Sequence, residues 1–469
     1  MIVRPLALAL TLALLPASAF AQDLLQTYEL ARQGDAQYSA TESGVLAQKE
    51  GVVQARAALL PQINGSARVT RTYPQDDATS VDTDGDGIPD TVVGSEGATT
   101  RTFGVGADQV VFDMGRFSTV RSQRALSQSA DFTLASAGDS LITRTSQAYF
   151  NVLVAMETLA AAEAQEAALK KQFDFADKRL EVGLAPITDV HEARAQYDSA
   201  RANTILVRNA LADAYEALTE ITGTPVRNLK ALPQDFQPQL PSGEGVETWI
   251  AAAIENNPAL KAQEYRLESA QADVQTARAG HLPTLYLGAD YSDSKRVSGG
   301  GSGLGGSDGS RGGTLGLTLS VPIFSGGATS SRVRQSINNR DVVADELEQD
   351  RRALVRNTRN AYQTVVAGIS EVEARKAAVF SARSAYEASQ VGLEVGTRTV
   401  LDVLINQQTL FAAEREYALS RYNFLQNRLL LEQAAGSLDV EDVQDINRLL
   451  TVDATARAPR DATGGTQQR

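Results

Sequence analysis

Cysteine is absent from the 469 residues, and histidine occurs only twice, as His191 and His281. These two shortages exclude a disulfide frame, a thiol nucleophile, a Cys-rich zinc site and a three-histidine metal centre within one chain. Positive charge is also scarce: 44 Lys and Arg stand against 57 Asp and Glu, a net charge of −13. That balance argues against a nucleic-acid partner, which needs a basic face. Beyond the N-terminus no stretch approaches 18 uninterrupted apolar residues, so an exported chain of this kind is either soluble outside the inner membrane or spans an outer membrane as strands. What is present, 43% hydrophobic and 22% charged residues, fits a folded chain with room for two or three domains.

Residues 1–21 read as a secretory signal peptide. Arg4 precedes an apolar run from Leu6 to Leu15, and Ala19-Phe20-Ala21 supplies a small-residue cleavage site before Gln22. The run is shorter than the roughly 20 residues a spanning helix needs. The mature chain is then expected to begin at Gln22, with 448 residues and a net charge of −14. A retained anchor is the alternative.

Self-comparison gives the most informative pattern. Ala55-Arg56-Ala57 with Leu60-Pro61 recurs as Ala277-Arg278-Ala279 with Leu282-Pro283, an offset of 222. Ala148-Tyr149, Glu181-Val182-Gly183, Asp189-Val190 and Gly223 recur as Ala361-Tyr362, Glu394-Val395-Gly396, Asp402-Val403 and Gly436, at 213. Ordered matches along both halves indicate two copies of one unit, 22–235 and 236–450, too few for a solenoid and better suited to a closed, symmetric object.

Each copy is expected to run helix, two strands, long helix, tight turn and return helix. In the first copy a leading helix covers 22–60, strands cover 61–74 and 100–112, and a helical hairpin covers 115–222. In the second the leading helix covers 246–282, strands cover 283–296 and 313–324, and the hairpin covers 327–435. Each long helix would span roughly 100 Å and each shorter one roughly 55 Å. Val182-Gly183-Leu184-Ala185-Pro186 breaks the first hairpin, since Gly permits positive φ and Pro fits a first helical turn. Alone, these Ala-rich helices also fit a soluble coiled-coil bundle. The polar stretch 451–469 is expected to be a disordered tail.

The strands alternate. Ile63, Gly65, Ala67, Val69 and Tyr73 oppose Asn64, Ser66, Arg68, Thr70 and Thr72, and Leu315, Leu317, Leu319, Val321 and Ile323 oppose Gly316, Thr318 and Ser320. Residues Leu285, Leu287, Ala289 and Tyr291 do the same, while Phe103, Val105, Ala107 and Val111 do so less cleanly. Each segment reaches the roughly 9 to 11 residues of a tilted membrane strand; a half-buried soluble sheet is the alternative. Four strands cannot enclose a lumen, so an oligomer would complete the barrel. Residues 298–313, rich in Gly and Ser, read as an exposed tip. The other loop carries Asp82, Asp84, Asp86 and Asp90, spaced like the start of a calcium loop, but Val93 stands where an EF-hand has its bidentate Glu. Calcium binding and a plain acidic turn both remain open there, and no other cofactor is expected.

Leu282-Pro283-Thr284, Val182-Gly183 through Ile187-Thr188-Asp189-Val190, Ala195-Gln196-Tyr197-Asp198, and Val395-Gly396-Thr397-Arg398-Thr399 with Asp402-Val403-Leu404 resemble TolC-type outer-membrane efflux channels over residues 23–450. The resemblance implies a mixed α+β membrane protein with an internal two-fold repeat. In a homotrimer, four strands per protomer would form a 12-stranded β-barrel in the outer-membrane lipid of a Gram-negative bacterium, and the long helices a periplasmic α-barrel. It implies an exit channel for small molecules or proteins, and no enzyme, with a periplasmic adaptor and an inner-membrane RND or ABC transporter as partners. Carried over by residue, Arg398 is the basic link of a periplasmic gate, Thr188 and Asp189 its partners, and Asp402 an entrance acid. The pattern departs at Ile405, where a second entrance acid is expected; the repeat-related position holds Glu192. The plainer reading makes these charges helix-end caps.

A periplasmic coiled-coil adaptor is the rival function. An enzyme is more distant, since neither histidine sits in a catalytic motif.

Overall fold

The computed structural model describes residues 23–73, 79–81, 91–93, 98–184, 186–240, 245–298 and 309–454. Helices α1 (Leu24–Gly34) and α2 (Ala36–Ala57) lead into strands β1 (Gln62–Thr72), β2 (Thr79–Val81), β3 (Thr91–Val93) and β4 (Ala98–Phe112). Then come α3 (Met114–Glu181), α4 (Ile187–Thr222) and the short β5 (Lys230–Ala231). The order recurs as α5 (Val246–Asn256), α6 (Pro258–Ala279), β6 (Thr284–Ser298), β7 (Gly309–Ser320), α7 (Ala328–Glu394) and α8 (Val400–Ala435), followed by α9 (Val440–Leu449) and β8 (Val452–Asp453). Helices α3 and α7 have 68 and 67 residues, and α4 and α8 have 36 each. The two halves share the order of leading helices, long strand pair, long helix and return helix, while β2 and β3 have no counterpart among the described residues of the second half. Among the described residues no helix is long and apolar enough to cross a membrane.

The chain divides into two compact units, a sheet unit of residues 44–131 and 262–348 and a helical unit holding the rest. In the sheet unit β1, β4, β6 and β7 form one antiparallel sheet in that order. Register follows the alternation: Ala67 pairs with Phe103, Val105 with Tyr291, and Leu287 with Leu317. One face thus gathers Ile63, Val69, Phe103, Val105, Leu287, Tyr291, Leu315, Leu317 and Leu319, exposed in the protomer. The other gathers Ser66, Thr70, Thr102, Asp290, Ser294 and Thr318, with the Thr102 and Ser294 hydroxyls 3.2 Å apart. A register shift between Val110 and Phe112 leaves Val111 without a partner in β6, which is why β4 alternates less cleanly.

The helical unit is built on a core that includes Leu24, Leu141, Tyr149, Phe150, Leu153, Leu218, Tyr422, Leu425 and Leu429. Two buried tyrosines fasten the connection between the chain halves. The Tyr149 hydroxyl donates to the Lys230 carbonyl at 2.8 Å and accepts from its N–H at 2.9 Å. Tyr422 donates to Glu157 at 3.1 Å and accepts from the Leu232 N–H at 3.4 Å. Burial pushes both phenols far above their ordinary value. Buried Arg421 joins Glu157 at 2.9 Å and the Pro233 carbonyl at 2.9 Å, so its charge is paired on two sides.

The structure departs from the sequence-based expectations at several points: β2 and β3 fall within a stretch expected as loop, and β7 begins at Gly309, inside the expected tip 298–313, and ends at Ser320 rather than 324. Each leading helix, expected unbroken over 22–60 and 246–282, is split. Asp35 ends α1 and accepts from the Tyr38 N–H at 2.5 Å, while its carboxylate meets Arg144 at 3.1 Å. Asn257 ends α5 and accepts from the Leu260 N–H at 3.1 Å. Each side chain caps the next helix, which makes a break cheap. Residues 452–454, expected in the disordered tail, are instead ordered: β8 pairs with β5, and the Ala454 N–H donates to the Leu229 carbonyl at 2.9 Å. Helix α9 was not expected; Asp439 and Asp442 form a capping box at its start. At its far end Asn447 accepts from the Leu24 N–H at 3.1 Å and donates to Asp23 at 3.0 Å.

Candidate functional site at the hairpin tips

Both hairpins turn at a glycine in the left-handed region, Gly183 at φ 73° and Gly396 at φ 76°, where a Cβ would be strained. Beyond the glycine the tips differ. In the first, the Leu184 N–H donates to the Arg179 carbonyl at 2.8 Å, the Arg179 guanidinium returns to the Leu184 carbonyl at 3.2 Å, and Pro186 precedes α4 with no side-chain cap. Thr188, Asp189 and Glu192 lie exposed on the first turns of α4, with the Thr188 hydroxyl donating to Asp189 at 3.4 Å.

In the second tip, the carbonyl of Gly392 accepts from the Thr397 N–H at 2.8 Å, the Arg398 N–H at 3.1 Å and the Thr397 hydroxyl at 3.1 Å. The Arg398 stem lies so close to Gly392 that a Cβ there would come within 2.6 Å of Arg398 Cγ. Thr399 and Asp402 then form a capping box. The Asp402 N–H donates to Thr399 Oγ1 at 3.2 Å, and the Thr399 N–H donates to Asp402 Oδ2 at 2.9 Å. That N–H, then the Thr399 hydroxyl, and last the charge of Arg398 hold the exposed Asp402 carboxyl below its ordinary value. Asp402 is therefore ionised and tied to its own helix start.

Among the described residues Arg398 makes no side-chain hydrogen bond or ion pair, and within one protomer the structure gives it no bond to Thr188 or Asp189. Ile405, one turn beyond Asp402, is 52% exposed. Behind the tips, Leu404 of α8 packs with Leu169, Ala200 and Tyr197, and Tyr197 stacks on Phe173 at 6.3 Å. Carboxylates, hydroxyls and the guanidiniums of Arg179 and Arg398 on two turns can attract, repel and link by charge. They make no nucleophile–base pair. Sequence reasoning overlooked Thr399, although the Thr-x-x-Asp spacing before an apolar run is a capping signature. Asp82, Asp84, Asp86 and Asp90 lie outside the described residues, and among those described no group of side chains could hold a metal ion.

The profile of a family described as outer membrane efflux protein matches residues 27–224 and 249–437. The chain is 33% identical over 454 residues to outer membrane protein TolC of Escherichia coli, covering 95% of this chain and 89% of that protein. It is 30% identical over 437 residues to alkaline protease secretion protein AprF of Pseudomonas aeruginosa, covering 92% and 88%. In fold it is similar to the crystal structure of the CmeC outer membrane channel of Campylobacter jejuni, with a TM-score of 0.75, 17% identity and coverage of 91% and 90%.

Proposed function

The chain belongs to the outer membrane efflux protein family, as an outer-membrane channel for efflux or type I secretion in a tripartite system of a Gram-negative cell, and from that premise we propose that it works as a homotrimer. Twelve strands, four from each protomer, close one β-barrel in the outer membrane, and the long helices continue it as a periplasmic α-barrel. The observation that carries this reading is the sheet β1-β4-β6-β7. Its two outer strands are edges, one face is apolar and exposed, and the other is polar. A lipid-exposed edge would leave backbone groups unsatisfied, whereas neighbouring protomers pair both edges.

The mature protein lacks residues 1–21 and consists of two repeats, 22–235 and 236–450, with a tail beyond. A periplasmic adaptor and an inner-membrane RND or ABC transporter deliver cargo to the helical end. Thr188, Asp189 and Arg398 form the periplasmic gate; Asp402 lines its entrance, with Glu192 as a further acid. The polar link closes through Arg398, whose guanidinium is free of side-chain partners among the described residues and carries a fork of donors suited to a carboxylate. The chain is a conduit and not an enzyme.

Planar-bilayer conductance of the detergent-purified protein, together with its mass, tests the reading. A trimer that inserts and passes ions is expected. A water-soluble monomer without conductance would overturn it in favour of a periplasmic scaffold.

A further inference from the structure

The apolar face of the sheet does not stay apolar to its end. Reading across the strands by register, one row holds Ala67, Phe103, Asp293 and Arg311. The next holds Val69, Arg101, Lys295 and Gly309, and β1 then adds Arg71. Side chains directly opposite one another share a face. Arg71, Arg101, Lys295 and Arg311 therefore stand on the same side as Leu315, Leu317 and Leu319, all four exposed. Arg311 is paired with Asp293 at 2.8 Å. Among the described residues Arg71, Arg101 and Lys295 have no ion-pair partner.

Aromatic rings accompany these cations. The guanidinium of Arg101 lies over Phe103 at 4.5 Å and that of Arg71 over Tyr73 at 5.3 Å, while Tyr291 sits one row below Asp293. Below the rings, β4 from Phe103 to Phe112 covers about 30 Å of strand, or about 23 Å of height at a typical barrel tilt. That is the hydrocarbon band. The cations therefore fall at the headgroup level, at the end of the sheet away from α2, α3, α6 and α7, which join the opposite strand ends.

At the headgroup level a lipid-facing cation costs only about 0–1 kcal/mol, and a cluster of three without ion-pair partners there is placed to meet anionic headgroups. We propose that Arg71, Arg101 and Lys295 form a binding site for the phosphate groups of an anionic, phosphorylated glycolipid of the outer leaflet. The acyl chains lie along the leucines of β7 and the aromatic rings bracket the sugar–phosphate level. That this face meets lipid, and that this end of the sheet lies at the outer leaflet, rest on the channel reading. The site itself rests on the register.

The test uses the full-length protein reconstituted in phosphatidylcholine vesicles, with diphosphoryl lipid A added as probe and retention measured by native mass spectrometry. Wild type should retain lipid A. The combined variant Arg71→Gln, Arg101→Gln and Lys295→Gln should bind it more weakly by about fivefold per cation, on the order of a hundredfold in all. Arg68→Gln with Arg296→Gln, at similar height on the polar face, should bind like wild type. Conductance in pure phosphatidylcholine bilayers is read in parallel. If wild type inserts and conducts but retains lipid A no better than the combined variant, the lipid site is wrong and the channel stands. If the polar-face variant loses as much, the face assignment is wrong. Inorganic phosphate that displaces lipid A completely would mark a free-anion site and overturn the lipid assignment, and failure of wild type to insert would overturn both readings.

Discussion

The two chain halves close the same joint by different means. In both, the return helix ends at a left-handed glycine packed against the break in the leading helix. In the first half the tight point is on the leading helix: a Cβ on Gly34 would lie 2.3 Å from the Thr222 carbonyl oxygen, whereas one on Gly223 would be in ordinary contact at 3.4 Å. In the second half the repeat-related residue is Asn256, and the tight point moves to Gly436, where a Cβ would lie 2.6 Å from the backbone of Asn256 and Asn257. Asn257 also donates to the carbonyl of Ala434 at 3.2 Å. The tips repeat the contrast: Pro186 leaves α4 without a side-chain cap, while Thr399 and Asp402 box the start of α8. Both halves cap the break with a side chain, Asp35 or Asn257, and both bring backbones close at a glycine, but the residue that carries the tight contact and the cap at the hairpin tip differ. The backbone path is common to both, and the residues enforcing it are not.

Substitution of the tight glycines should have the largest effect. Gly34→Ala and Gly436→Ala should each cost about 3 kcal/mol or more, since backbone has to move, whereas Gly223→Ala should cost about 1 kcal/mol for its positive φ alone. Thermal unfolding of the purified protein checks this; equal damage from Gly223→Ala and Gly34→Ala would erase the asymmetry. Acidity should act on both halves next, through the half-buried Asp139 carboxyl, raised by burial to about 6, in the first and Glu432 in the second. Burial pushes the Glu432 carboxyl up to about 7 against the pull of Arg428 at 3.0 Å, with Asp442 and Asp445 of α9 adding to the rise. Its repeat-related position is the neutral Thr219. A raised carboxyl binds its proton more tightly in the folded state, so its contribution is full below about 4.5 and is lost as pH rises through about 7. The apparent melting temperature should fall from pH 6 to pH 8 and Glu432→Gln should flatten that fall; an unchanged slope would show that Glu432 is not responsible.

At the tips, Thr399→Ala should loosen the first turn of α8 by about 1 kcal/mol, while Pro186→Asp should firm the first turn of α4 by a similar or smaller amount. Hydrogen exchange of residues 400–403 and 187–190 reads both, and no response at either would mean that the caps do not set tip order. The smallest free-energy change and the clearest functional one belongs to Arg398→Ser. Losing a solvent-exposed link is worth about 1 kcal/mol at most, yet a balanced gate needs little more, so the variant should conduct more than wild type. Asp402→Asn should instead reduce cation preference and multivalent-cation block. Conductance identical to wild type in both would return these charges to simple helix capping.

Much of this was legible beforehand. Period-two alternation placed the strands within a few residues, because a sheet with one apolar face cannot slip without turning its leucines over. Gly183 and Gly396 marked the turns because few other residues accept that backbone. The split leading helices were missed: Gly34-Asp35 interrupts no apolar period, and Asn257-Pro258, a sound cap-and-first-turn signal, was passed over within a continuous helical pattern. Helix α9 was missed for its brevity, although Asp439 and Asp442 have the spacing of a capping box. The positions of Arg398 and Asp402 were evident, but the bond from Asp402 to Thr399 depends on a rotamer that spacing alone does not fix.

The clasp of Asn447 on the Leu24 N–H and the Asp23 carboxylate bears on how the molecule is made. Its partners are 423 residues apart, and β8, which secures the connection between the halves, lies later still. A chain exported from its N-terminus therefore delivers α1 long before the helix that holds it arrives. Until then the apolar side of α1, with Leu24, Tyr28 and Ala31, has no finished core to enter and is open to wrong partners. Completion of the helical unit therefore waits for α9 and β8. Truncation before Val440 should leave a secreted chain that periplasmic proteases remove, even with every strand and both hairpins intact in its sequence.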